Sequence, residues 1–103
     1  MTKFFEEFGL RCVLRAGGLG IPCGYVLAPA EFGSSNELEV HGDVTWDGEI
    51  EELGPGRWIG FDAGHYGDSL PTFPGGEPRD DDYMRGQCKR LAQQISEASD
   101  VDR

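Results

Sequence analysis

The densest chemistry in this chain lies where an apolar run meets a turn, in Trp58-Ile59-Gly60-Phe61-Asp62-Ala63-Gly64-His65-Tyr66-Gly67-Asp68. His65 stands between Asp62 and Asp68, and the other histidine, His41, sits upstream on a stretch that also carries Thr45. Imidazole nitrogen and carboxylate oxygen are good ligands for zinc, manganese or iron, and the same pair can exchange a proton as base and acid. The spacing Asp62-x-x-His65-x-x-Asp68 follows no metal-site pattern, however, and no Ser or Cys occupies a nucleophile turn. A purely structural reading is available too. Asp62 would accept hydrogen bonds from the backbone of the turn it opens, and a histidine would donate into the same network. Three readings therefore stand side by side: a polar structural network, which the residues favour, a metal or ligand site, and an acid–base site. No cofactor is assigned.

Charge points in another direction. Residues 31–82 carry fourteen acidic and two basic side chains, a net of -12 in a chain whose total is -10. A field of that sign repels nucleic acid and membrane surfaces and attracts basic partners. Glu39, Asp43, Asp47, Glu49, Glu51 and Glu52 are the candidate contacts with such a partner. The plainer alternative is that these acids keep a glycine-rich domain in solution.

The elements that must position these groups follow from size and periodicity. A chain of 103 residues fits one domain, 1–103, with a single core. Sixteen glycines imply many turns. No apolar run approaches the roughly 20 residues of a membrane span, and acids interrupt the N-terminus where a signal peptide needs an apolar segment, so a cytoplasmic location is expected. The three cysteines, Cys12, Cys23 and Cys88, form no C-x-x-C pair and read as reduced thiols.

Phe4, Phe5 and Phe8 suit a short helical face or the start of a strand, in either case as core. Alternation over 10–15, with Leu10, Cys12 and Leu14 on one face, predicts a strand, and 23–28 a second. The glycine-rich segment between them lacks a Gly-Lys-Ser/Thr ending and a following helix, so it is a hairpin loop and not a phosphate cradle. Residues 29–37 read as a loop. Alternation over 38–46 predicts a third strand, with Leu38, Val40, Val44 and Trp46 on one face and Glu39, His41, Asp43 and Thr45 on the other. Asp47-Gly48 then suits a tight hairpin turn, with 49–53 and 57–62 completing a meander. Ser69 to Pro78 is proline-rich and irregular. A helix is predicted over about 80–98, with Met84, Cys88, Leu91, Ile95 and Ala98 as its apolar stripe, an Asp run in its first turn and Gly86 packed against the sheet. The fold class is α+β: an antiparallel sheet of about five strands, a hairpin plus a meander, with the C-terminal helix packed on one face.

His41-Gly42-Asp43-Val44-Thr45, taken with the Trp58 to Asp68 segment, resembles the motif of a family of small proteins encoded by phages and prophages. There an HGG-x-T segment precedes W-x-GFD-x-AH-x-GD, with a Cys-Gly-Tyr strand upstream and a C-terminal helix. His41, Thr45, Asp62, His65 and Asp68 match that pattern, while Asp43 and Gly64 replace glycine and alanine. The resemblance brings no assigned activity. It implies a phage accessory role in an infected or lysogenic host cell, and small acidic proteins of that kind often inhibit host defence. Two functions follow as expectations. The favoured one is a binding module that imitates the charge of DNA and blocks a host nucleic-acid-binding protein with a basic surface, for example a CRISPR effector, without itself binding nucleic acid. The alternative is a small metal-dependent or ligand-binding enzyme built on the His/Asp cluster.

Overall fold

Phe8 and Gly9 both take positive φ, 53° and 74°, and so close a two-residue hairpin between β1 (Lys3–Glu7) and β2 (Leu10–Ala16). The computed structural model describes residues 2–17, 20–64 and 80–100, residue 100 by its backbone alone. His65 and Asp68, together with the Ser69 to Pro78 segment, lie outside them. At the next reversal the Gly17 N–H donates to the Ile21 carbonyl over 2.7 Å, and β3 (Pro22–Ala28) returns antiparallel to β2. β2 and β3 are thus joined as a hairpin, as the sequence predicts, with Gly18 and Leu19 outside the described residues. Phe4 and Phe8 depart from their expected core role, being 51% and 46% exposed. Strand alternation turns only Phe5 of the three inward, where it packs on the core under the Arg85 guanidinium, 4.5 Å from the ring centroid.

Two further strands complete the sheet, β4 (Trp46–Ile50) and β5 (Gly54–Asp62), joined by a single 3-10 turn at Glu51–Leu53. The order across the sheet is β1-β2-β3-β5-β4, antiparallel throughout. The five-stranded α+β architecture is as expected, but its halves are exchanged: the meander is N-terminal and the hairpin follows it. Asp47-Gly48 is not a turn. It lies within β4, with Asp47 opposite Ile59 and Gly48 opposite Trp58. Asp47 is held there by Arg57, whose Nε and Nη2 donate to its two carboxylate oxygens at 2.6 and 2.8 Å, and by the Ser35 hydroxyl at 2.7 Å.

Residues 38–45 are not a strand either. Leu38, Val40 and Val44 do pack on the core, but the backbone reverses at Gly42 and Asp43, with φ of 67° and 66°, and the Asp43 N–H donates to the Val40 carbonyl. In place of a neighbouring strand the segment uses side chains of the helix. The Gln94 amide accepts from the Glu39 N–H at 2.8 Å and donates to the Glu39 carbonyl at 2.7 Å, and Gln87 accepts from the His41 N–H at 2.9 Å. These bonds lie at or near the surface, where each contributes about 0.5–1.5 kcal/mol at most, and they tie the segment to the helix.

The helix, α1 (Asp81–Asp100), begins where predicted. Asp80 is its N-cap, with its carboxylate accepting from the Tyr83 N–H at 2.8 Å. Its buried stripe is Met84, Cys88, Leu91, Ala92, Ile95 and Ser99, whereas Ala98 is exposed. Ser99 is tolerated inside because its hydroxyl donates to the Ile95 carbonyl over 2.8 Å. Gly86 is exposed, and a Cβ there would have nothing within 4 Å, so it is not the site of close packing on the sheet. That site is Gly24, where a Cβ would lie 2.7 Å from Phe61 and 2.8 Å from the Cys88 sulfur. The helix and the 29–45 segment together cover one face of the sheet over Cys12, Val26, Ile59 and Phe61. On the opposite face a smaller cluster of Val13, Ile50, Leu53 and Trp58 is flanked by Tyr25 and Leu27.

Candidate binding surface

Of the residues expected to form a His/Asp site, the described ones, His41, Thr45 and Asp62, are mounted on different supports. His41 belongs to the 29–45 segment and is tied to the helix: its Nδ1 is 2.8 Å from the Tyr83 hydroxyl, and the two rings meet edge to face. Thr45 is exposed, and its N–H donates to the Gly60 carbonyl at 2.8 Å, which starts the β4 ladder. The strand face expected to hold both His41 and Thr45 does not exist. Asp62 ends β5 opposite Cys23, and its carboxylate accepts from the Gly64 N–H at 2.9 Å. This is the Asx turn anticipated from the sequence. His65 and Asp68 are beyond the described residues, among which no group of three or more His, Cys, Asp or Glu side chains stands together as metal ligands.

The acidic set also divides. Asp47 lies on the helix side of the sheet and is engaged by Arg57 and Ser35, hydrogen bonds that hold its carboxyl below the usual carboxylate range. Glu39 is exposed beside the helix, 3.6 Å from an Arg90 nitrogen. Asp43 is exposed at the left-handed turn of the 29–45 segment. Glu49, Glu51 and Glu52 do come together, exposed at the end of the β4–β5 hairpin. Ile50 between them and Leu53 just after them are 7% exposed and pack on Trp58, whose indole N–H donates to the Gly54 carbonyl at 3.1 Å.

Cross-strand register shows what adjoins this hairpin end. Phe4 faces Val13, Val13 faces Tyr25, Tyr25 faces Gly60, and Gly60 faces Trp46, a single row across all five strands on the face away from the helix. Directly opposed residues project to the same side of a sheet. Gly60 has no side chain in this row, and the Tyr25 ring lies over it, in the space a Cβ would need. Beyond it Trp46 is 47% exposed, with its indole N–H donating to the Gly48 carbonyl at 3.2 Å. Arg15 places its guanidinium 5.3 Å from the Tyr25 ring centroid. An open groove of about 320 Å³ is lined by Arg15, Tyr25, Trp46, Glu49, Ile50, Glu51 and Glu52. The sequence identifies the three glutamates but places Trp46 with Leu38, Val40 and Val44 on the apolar face of the expected 38–46 strand. The signal for its exposure is its position in Trp46-Asp47-Gly48-Glu49-Ile50-Glu51-Glu52, an indole inside the most acidic run of an edge strand.

The cysteines take no part in this surface. Cys12 and Cys88 are fully buried, and burial pushes the Cys12 thiol up to about 12 and raises that of Cys88 as well. Cys23 is also raised by burial, with the Asp62 charge adding to the effect. All three are free thiols. No described helix is long and apolar enough to cross a membrane. No family model, curated protein or solved structure matches this chain.

Proposed function

We propose that this protein is an acidic binding module that occupies the basic nucleic-acid groove of another protein, presenting carboxylates where that protein expects phosphates. The observation that carries the reading is the clustering of Glu49, Glu51 and Glu52 on a hairpin end fixed by the buried Ile50 and Leu53. Charges held on a defined ledge complement a fixed basic surface, speed encounter and lose effect as salt screens them. The likeness of His41-Gly42-Asp43-Val44-Thr45 and the Trp58 to Asp68 segment to phage proteins suggests the setting: inhibition of a host defence protein that handles nucleic acid, a CRISPR effector among the candidates.

The test is capture from bacterial lysate on the immobilised full chain, eluted in steps of rising salt, followed by competition with duplex DNA against each purified captured protein. A nucleic-acid-binding protein that is released by salt, displaced by DNA and lost with Glu49, Glu51 and Glu52 changed to Lys is the expected result. Capture that survives the triple change, or that DNA does not displace, refutes mimicry.

A further inference from the structure

We propose that the groove between Tyr25, Trp46 and Ile50 receives an arginine side chain of an extended basic segment on the partner, with Glu49, Glu51 and Glu52 around the guanidinium. This rests on the acidic-module reading and specifies where and how that module grips. Among the described residues no element covers this face, and its two aromatic rings differ in state. Tyr25 already carries the chain's own Arg15 guanidinium at 5.3 Å, while Trp46 is 47% exposed and its indole is fixed by the bond to the Gly48 carbonyl. A guanidinium stacks on an indole face and offers five donors to surrounding carboxylates, so aromatic and acidic lining together select it over any anion or neutral group. The charge is complementary as it stands: three glutamates against the single Arg15. A groove of about 320 Å³, open to solvent along the sheet edge, admits a side chain from an extended strand.

The experiment uses the full chain and a peptide of alternating glycine and arginine, followed by calorimetry and by the indole N–H resonances, which Trp46→Phe assigns. Expected are a shift of the Trp46 resonance and not that of buried Trp58, and weakening of roughly tenfold in Trp46→Ala and in the Glu51→Gln, Glu52→Gln double variant. Glu97→Gln, exposed on α1 across the sheet, binds as wild type. Trp46 and the peptide failing to meet, seen as an unmoved resonance with unchanged affinity in Trp46→Ala, overturns the groove, and so does absence of peptide binding. The acidic-module reading is decided separately by the DNA competition, which involves neither Trp46 nor the peptide. Should Trp46→Ala not fold, the wild-type resonance decides alone.

Discussion

Two glycines respond in opposite directions to the same methyl group. At Gly24 a Cβ would stand 2.7 Å from two carbons of the Phe61 ring and 2.8 Å from the Cys88 sulfur. Comfortable contact needs about 3.5–4.0 Å, so roughly 1 Å of movement is demanded. Phe61 is 1% exposed and Cys88 fully buried, so neither can swing into solvent. Gly24→Ala therefore costs about 1–3 kcal/mol, the range for overpacking a tight core. At about 4–8 °C per kcal/mol for a domain near this size, the melting midpoint falls by roughly 5–20 °C. At Gly86, exposed within α1 and with nothing within 4 Å of a Cβ, Gly86→Ala gains helix propensity of up to about 1 kcal/mol. Urea and thermal unfolding of both variants, with Cys88→Ala as a second background, make the measurement. In that background the penalty at Gly24 shrinks by about 0.5 kcal/mol or more, because one of the two obstacles is gone. A Gly24→Ala protein as stable as wild type, or a destabilised Gly86→Ala, would refute the packing argument.

The Asp47 carboxyl, held below its ordinary value by Arg57, stabilises the fold above the unfolded-state pKa of about 4 and gives up that contribution as pH falls through its lower native value. Asp47→Asn should thus lose up to about 1 kcal/mol at neutral pH and converge on wild type as the pH falls below the native pKa, as chemical denaturation across pH will show. The Cys12 thiol, fully buried and pushed up to about 12, leaves almost no thiolate at pH 8. Quantitative thiol labelling followed by peptide mapping should therefore find Cys12 and Cys88 modified only under denaturing conditions. Their labelling in the native protein at the rate of a free thiol would show that the core opens locally.

Elements whose partners are nearby in the chain are legible from the residues alone. The β2–β3 hairpin and α1 follow from alternation, from glycine between two strands and from a four-and-three spacing that local backbone bonds enforce. Residues 38–45 show where such reading stops. Leu38, Val40 and Val44 alternate because they do bury, yet the groups that satisfy the backbone are Gln87 and Gln94, far away in sequence. Distant partners also move the turn. Asp47-Gly48 has hairpin chemistry, but Arg57, Ser35 and the facing Trp58 keep it in β4, and the reversal falls at Gly42-Asp43. Of the candidate polar site, the Asx turn at Asp62 is visible in the sequence because it is local. The pairing of His41 with Tyr83 is not, because it depends on how the helix returns across the sheet.

The alternation of exposed glutamate with buried Ile50 and Leu53 at the hairpin end also bears on the entropy of association. A mobile acidic loop must be ordered when it binds, at about 0.5–1.5 kcal/mol for each side chain immobilised, before its charges bring any gain. Here the backbone under Glu49, Glu51 and Glu52 is already fixed by two side chains packed on Trp58. Only the glutamate rotamers remain to be frozen. If the module binds as proposed, substituting Ile50 or Leu53 by small residues would leave every charge in place and weaken that binding through a faster off-rate from a loosened ledge.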